Sequence, residues 1–293
     1  MELNWLFPVL ASALVLGFYD ICKKHALRDN SVMPVLLLST CSGTAGLVAY
    51  LILTGEFAEA VCAAPAELGL VTLKVFLVGG SWICSYYAIR ELPITLASPV
   101  RSTAPLWTFL GGVLIFGEQL NPMQFLAAAV IIAGYGVFSI CGKLEGFPLY
   151  SRGMVLIIVG TLLGAASALY DKYLMGKLGL PPLRVQFLFM TGLTLLLGGA
   201  YLVRRFCFGR RHPFAWKWTI PVIGLVLVLS DALYFYAIGL PGAQISLISL
   251  LRRMSCVVSF GFGALIFGER NIRRKLAAFA LFLLGVILLW LGR

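Results

Sequence analysis

Three arginines and one aspartate sit where lipid tolerates charge least. Arg101 lies about eight residues inside an apolar run over 94–117, Arg252 and Arg253 lie about ten inside a run over 243–267, and Asp231 is within 217–238. An arginine at the centre of a spanning helix costs roughly 2.5–3.5 kcal/mol even on the most lenient insertion scale, a cost that is met when the guanidinium faces protein or a wet cavity. Two guanidinium forks converging on one site would suit a carboxylate or a phosphate, gripped bidentately. The competing readings are internal ion pairing, with Asp231 or with Asp20 and Asp171, and contact with a lipid headgroup.

Other residues could join this chemistry. Asp231 suits a proton-coupling or substrate-amine contact and, with Arg253, forms a candidate charge pair. Asp20 and Asp171 each follow a tyrosine and have Lys24 and Lys172 nearby; they read as gating or coupling groups, or as local pairs that fix helix ends. Trp107, Tyr234 and Gln244, with Trp82, Tyr86, Tyr87, Phe235 and Tyr236, are candidate walls for an organic body, although aromatics also anchor helices at the membrane interface. The expected substrate-binding set is Arg101, Arg252, Arg253, Asp231, Trp107, Tyr234 and Gln244. No catalytic residue, metal site or cofactor is expected: His25 and His212 stand far apart, and Cys22, Cys41, Cys62, Cys84, Cys141, Cys207 and Cys256 form no Cys-x-x-Cys pair.

The elements that must position these groups are apolar helices. Of the 293 residues 60% are hydrophobic and 12% charged, against about 25% charged in a soluble chain. A bilayer core about 30 Å thick needs about 20 mostly apolar residues per helix. The runs 5–27, 33–54, 70–90, 94–117, 122–141, 153–175, 183–204, 217–238, 243–267 and 274–292 meet that need. The first four residues, Met1 to Asn4, lack the positive start of a signal peptide, so the first run reads as a retained helix. The net charge of +11 is carried in loops beside helix ends, which points to topology and lipid headgroups rather than to nucleic acid.

The ten runs form two sets of five. Leu114-Ile115-Phe116-Gly117-Glu118 recurs letter for letter as Leu265-Ile266-Phe267-Gly268-Glu269, and the same offset of 151 carries Tyr19-Asp20 onto Tyr170-Asp171, Ser98 onto Ser249 and Arg101 onto Arg252. Upstream, Tyr87-Ala88-Ile89 matches Tyr236-Ala237-Ile238 at an offset of 149, which aligns Asp231 with Trp82 and leaves the aspartate without an acidic counterpart. Repeats of 1–143 and 150–293 with five spans each insert in opposite senses. The expected fold is therefore an all-α polytopic membrane protein, ten transmembrane helices as two inverted five-helix repeats around a central cavity. Glu118 and Glu269 end their helices, where the macrodipole disfavours a carboxylate, so they read as caps receiving N–H groups from the next helix. Asn121-Pro122 resembles a helix start.

The repeated Leu-Ile-Phe-Gly-Glu, preceded in the first half by Ala104-Pro105-Leu106-Trp107-Thr108, resembles the EamA family of the drug/metabolite transporter superfamily over nearly the whole chain. The resemblance implies a helical basket around a central cavity, alternating access, and a small organic metabolite as substrate, most often exported. It also implies a multi-pass protein of a bacterial inner membrane, partnered by lipid and compatible with a homodimer. It implies cytoplasmic termini, whereas the Lys and Arg count of the short loops puts both termini outside. Arg252-Arg253 departs from the family pattern and argues against a plain neutral or cationic substrate. Two other classes stay open: an intramembrane enzyme acting on a lipid-linked phosphate, and a non-transporting membrane subunit.

Overall fold

The computed structural model describes residues 4–27, 30–91, 100–101, 103–140, 151–208, 214–255 and 272–291. The helices are α1 (Leu6–Leu27), α2 (Val32–Thr54), the short α3 (Phe57–Val61), α4 (Pro65–Glu91), α5 (Ala104–Phe116), α6 (Pro122–Ile140), α7 (Arg152–Asp171), α8 (Pro182–Phe208), α9 (Thr219–Gly239), α10 (Ile245–Arg252) and α11 (Ile272–Leu291). Among the described residues no strand is present, and six helices are long and apolar enough to cross a membrane: α1, α2, α4, α7, α8 and α9. The chain is an integral membrane protein. The second copy of the Leu-Ile-Phe-Gly-Glu motif, with Glu269, lies outside the described residues.

Two of the apolar runs are not the continuous helices that their composition predicts. Arg101 sits in a helical turn before α5, where Thr103 Oγ1 donates to the Val100 carbonyl and Leu106 N–H to the Thr103 carbonyl. Pro105 explains the break, because it has no N–H to give the Arg101 carbonyl four residues back. The other run breaks at its arginines: α10 ends at Arg252, and Arg253 and Met254 form a turn. Both arginines therefore stand at helix breaks and not in mid-helix. At the end of α10 the carbonyl end of the helix dipole favours the Arg252 cation.

The helices pack in pairs across the two halves of the chain. α4 lies on α7 and α8, α9 lies on α1 and α2, α5 lies on α7 and α10, α10 lies on α1, α2 lies on α8, and α6 lies on α11. Exchanging the halves maps α4–α7 onto α9–α1, α4–α8 onto α9–α2, and α5–α7 onto α10–α1. It returns the other three pairs to themselves.

Small residues make these approaches close, as expected where lipid supplies no hydrophobic drive between helices. Ser81 donates to the Gly160 carbonyl at 2.6 Å, and Ser12 donates to the Ser230 carbonyl at 2.7 Å; Ser81 and Ser230 are counterparts at the 149 offset. Between α2 and α9, a Cβ on Gly224 would stand 1.9 Å from the Ser39 carbonyl oxygen, so only glycine fits. Most of α10 is buried, with Ile245, Leu247, Ile248, Leu250 and Leu251 all inaccessible to solvent. It holds Arg252 in the interior of the molecule.

Candidate functional site

A cavity of about 340 Å³ opens between α1, α4, α5, α7, α9 and α10. Its described lining carries five cations, Lys23, Lys74, Arg101, Arg252 and Arg253, against two carboxylates, Asp171 and Asp231. Tyr19, Trp82, Phe189, Tyr234 and Phe235 supply aromatic wall, while Ser81, Ser85, Thr108, Thr161, Ser167, Ser249 and Ser255 supply hydroxyls. The lining is thus positive, partly aromatic and rich in neutral hydrogen-bonding groups.

Two ion pairs form its charged floor. Arg252 Nη2 donates to Asp231 Oδ1, and the guanidinium lies over the Tyr234 ring, 3.9 Å from its centroid. Cation and ring attract through the ring quadrupole, most strongly when both are desolvated. Arg252 Nε is buried and has no hydrogen-bond partner. The second pair is Lys74 Nζ on α4 with Asp171 Oδ1 on α7; these side chains are only 2% and 5% exposed. Lys74 also lies between two rings, 4.6 Å from the Phe189 centroid and 4.9 Å from that of Phe235. The Tyr234 and Phe235 ring centroids are themselves 5.5 Å apart, with the rings tilted by 45°, so the two pairs are joined through neighbouring aromatic side chains.

Asp171 and Lys172 part company. Asp171 enters the cavity, whereas Lys172 Nζ donates to the Ala243 carbonyl just before α10. Adjacent residues of a helix point about 100° apart and do not face each other, and the chain beyond Asp171 widens into a π-helical turn over Lys172–Lys177. A local Asp171–Lys172 pair is therefore not formed. Nor is Arg253 the arginine seen on Asp231, since Arg252 holds that carboxylate.

Glu118 caps a helix, but not the next one. It accepts from Ile245 N–H at 2.7 Å, from Ser246 N–H at 3.1 Å and from Ser246 Oγ at 2.5 Å, closing the free N-terminus of α10 from the other half of the chain. Its own neighbour α6 is capped by Asn121, whose Oδ1 accepts from Gln124 N–H while Gln124 Oε1 accepts from Asn121 N–H, a capping box. Gly117 makes the turn that aims Glu118, at φ 62°. Glu118→Ala should lower unfolding stability in detergent by about 1–2 kcal/mol, the range for a lost N-cap, and Glu118→Gln by less. An unchanged unfolding midpoint for Glu118→Ala would show that α10 does not depend on this clamp.

Of the residues expected at the site, Arg101, Arg252, Arg253, Asp231, Tyr234 and Asp171 line one cavity. Trp107 does not: its side chain is 47% exposed on α5 and its Nε1 donates to Thr103 Oγ1. Gln244 is not in the lining either; it precedes α10 and donates to the Gln119 carbonyl. The side chain of Asp20 lies outside the described residues. Tyr87 Oη instead accepts from Arg204 Nη1. Lys74 is the residue that sequence reasoning missed. The apolar run that begins at residue 70 places Lys74 near a helix end. The helix in fact starts at Pro65, five residues earlier, so Lys74 falls deep in the bundle.

Apolar spanning helices around a charged, aromatic-walled cavity define a polytopic membrane protein of transporter type. Residues 3–140 match the EamA-like transporter family. The protein RarD of Streptomyces exfoliatus is 26% identical over 77% of this chain and 68% of its own length. RarD of Salmonella typhi is 31% identical over 31% of this chain and 30% of its own, and solute carrier family 35 member E4 of Rattus norvegicus is 29% identical over 45% and 37%. In the last two the match spans well under half of the relative. A crystal structure superimposes with a TM-score of 0.78 over 99% of this chain and 98% of that one, at 17% identity, a likeness of fold alone.

Proposed function

We propose that the protein is a secondary transporter for a small organic anion, bearing a carboxylate or a phosphate, and that it works by alternating access of two inverted five-helix halves. The observation that carries the substrate class is the make-up of the described lining, five cations to two carboxylates. Asp171 holds Lys74 and Asp231 holds Arg252, and a lining so rich in cationic side chains favours an anionic ligand. The unpartnered Nε of Arg252 is a donor ready for such a ligand, and the aromatic wall suits an organic body. Interruptions of helices at Arg101 and at Arg252 match the transporter pattern in which broken helices build the substrate site. The packing of helices in exchangeable pairs is what two repeats sharing one cavity require. Export from a bacterial cell across its inner membrane follows the family resemblance, with surrounding lipid as the other partner.

Counterflow in reconstituted liposomes tests this reading, with panels of amino acids, organic acids and phosphate esters set against neutral and cationic solutes. Anionic members should exchange at least ten times faster than size-matched cations. Exchange of cations and neutral solutes with no response to anions would sink the proposal; turnover of a phosphate ester to product would favour an enzyme.

A further inference from the structure

Lys74 and Asp171 form a closed contact inside a cavity that otherwise offers cations to a ligand. The ammonium touches Asp171 on one side and the faces of Phe189 and Phe235 on two others, and it is 2% exposed. Among the described residues Asp171 is the anionic partner of Lys74. Asp171, in turn, is buried with Lys74 as its ion-pair partner. The other charged or titratable groups that face it are Arg252 on α10 and Asp231 and Tyr234 on α9; described α5, which also packs on α7, carries none. Arg252 is already bonded to Asp231. Among the described residues the other cation that acts on Asp171 is this engaged Arg252, so loss of Lys74 leaves the Asp171 charge without a bonded partner.

From this geometry we infer that Lys74 and Asp171 are the proton-coupling site of the transporter: a substrate anion and the Asp171 carboxylate compete for the Lys74 ammonium, and Asp171 takes up a proton when the anion displaces it. The inference rests on the anion-transport reading above and deepens it by naming the coupling ion. The balance is one proton for one anionic charge. The proton enters from water onto Asp171, the anion takes its place on Lys74, and the net charge of the site is unchanged. Release reverses both steps. Re-forming the ion pair expels the anion and returns the proton, so neither ligand need cross the membrane without the other. Such a charge-neutral exchange also answers why a costly ion pair stands in the bundle, where two apolar side chains would pack as stably.

The test uses the purified full chain in detergent, with inorganic sulfate and benzoate as probes, anions whose own charge is constant near neutral pH. Binding is read by the fluorescence of Trp82, which lines the cavity, and proton uptake by a pH dye in weakly buffered solution. Wild type should take up about one proton per anion, and its affinity should rise as pH falls, by up to about tenfold per pH unit, the limit for one linked proton. Asp171→Asn should bind with affinity independent of pH and with no proton uptake. Because an unpaired ammonium can impair folding, the paired variant Lys74→Met/Asp171→Leu is the second arm; it keeps the arginines and should bind more weakly, again without taking up a proton. Probe binding to wild type with no proton uptake, or uptake that persists in the paired variant, overturns the coupling site and leaves the anion cavity standing. Failure of wild type to bind either probe at any pH overturns the anion cavity itself.

Discussion

Lys74→Met is expected to lower the unfolding free energy by about 3–5 kcal/mol, the range found when one member of a buried ion pair is removed. The cost arises less from the bond lost than from the partner left behind. Asp171 is only 4% exposed, so solvent replaces the ammonium poorly, and Arg252 is already engaged by Asp231. The contacts of the cation with Phe189 and Phe235 are lost as well. The second substitution separates these effects. In Lys74→Met/Asp171→Leu both charges are gone and the volumes are similar, so stability should return to within about 1 kcal/mol of wild type, since apolar replacement of buried pairs is often neutral. Equilibrium unfolding in mixed detergent and SDS, read by tryptophan fluorescence, gives all four corners of the cycle. Single and double variants equally damaged would mean that the two residues do not act as a pair.

The second large effect falls on transport. Arg252→Gln should reduce the initial rate of anion uptake by about 10- to 100-fold, which corresponds to the roughly 1.5–3 kcal/mol of a hydrogen bond to a charged group. Arg252 is placed for this by α10, whose far end is clamped by Glu118 and whose flanks are mostly buried. Its guanidinium is fixed by Asp231 and the Tyr234 face, and its Nε is the donor with no partner. Asp231 is left unbalanced in this variant, so Arg252→Gln/Asp231→Asn must be measured beside it. Transport lost in both variants points to the guanidinium as the ligand group, whereas transport regained in the pair points to charge balance alone. Arg252→Lys keeps the charge but not the planar fork, and should remain impaired in the uptake assay if recognition is bidentate.

The class of molecule and several of the residues that line the cavity were legible in the chain. Arginines in apolar runs have few stable environments, so Arg101, Arg252 and Arg253 pointed to a protein-lined interior before any packing was known. Repetition at a fixed offset aligned Arg101 with Arg252, and both line the cavity. Trp107 misled because an aromatic residue deep in an apolar run has no signal for direction: in a membrane both the bundle and the lipid accept it, and α5 turns it outward. Lys74 was hidden for a related reason. Nothing in the composition of Leu70–Leu77 marks where its helix begins, and a shift of five residues carries a lysine from the headgroup level into the core.

Partners across the chain were the least legible. Glu118 could be recognised as a cap, since the dipole at its own helix end repels it, but its target is 127 residues away along the chain at Ile245. Asp231 could have paired with either of two adjacent arginines, and Asp171 with the lysine beside it. Helix phase rules out the neighbour, and packing selects Arg252 and Lys74.

What the sequence by itself determined was a matter of solvent and count: apolar runs long enough for a bilayer, a repeated half, and buried charge in need of an interior. These follow from transfer free energies that act residue by residue, whatever the packing. Which charges meet was decided only by the tertiary structure. An ion pair inside a bundle depends on the rotation and depth of helices that belong to different halves of the chain, and those are set by small-residue contacts such as Ser81 on Gly160 and Gly224 on Ser39, which no local pattern encodes.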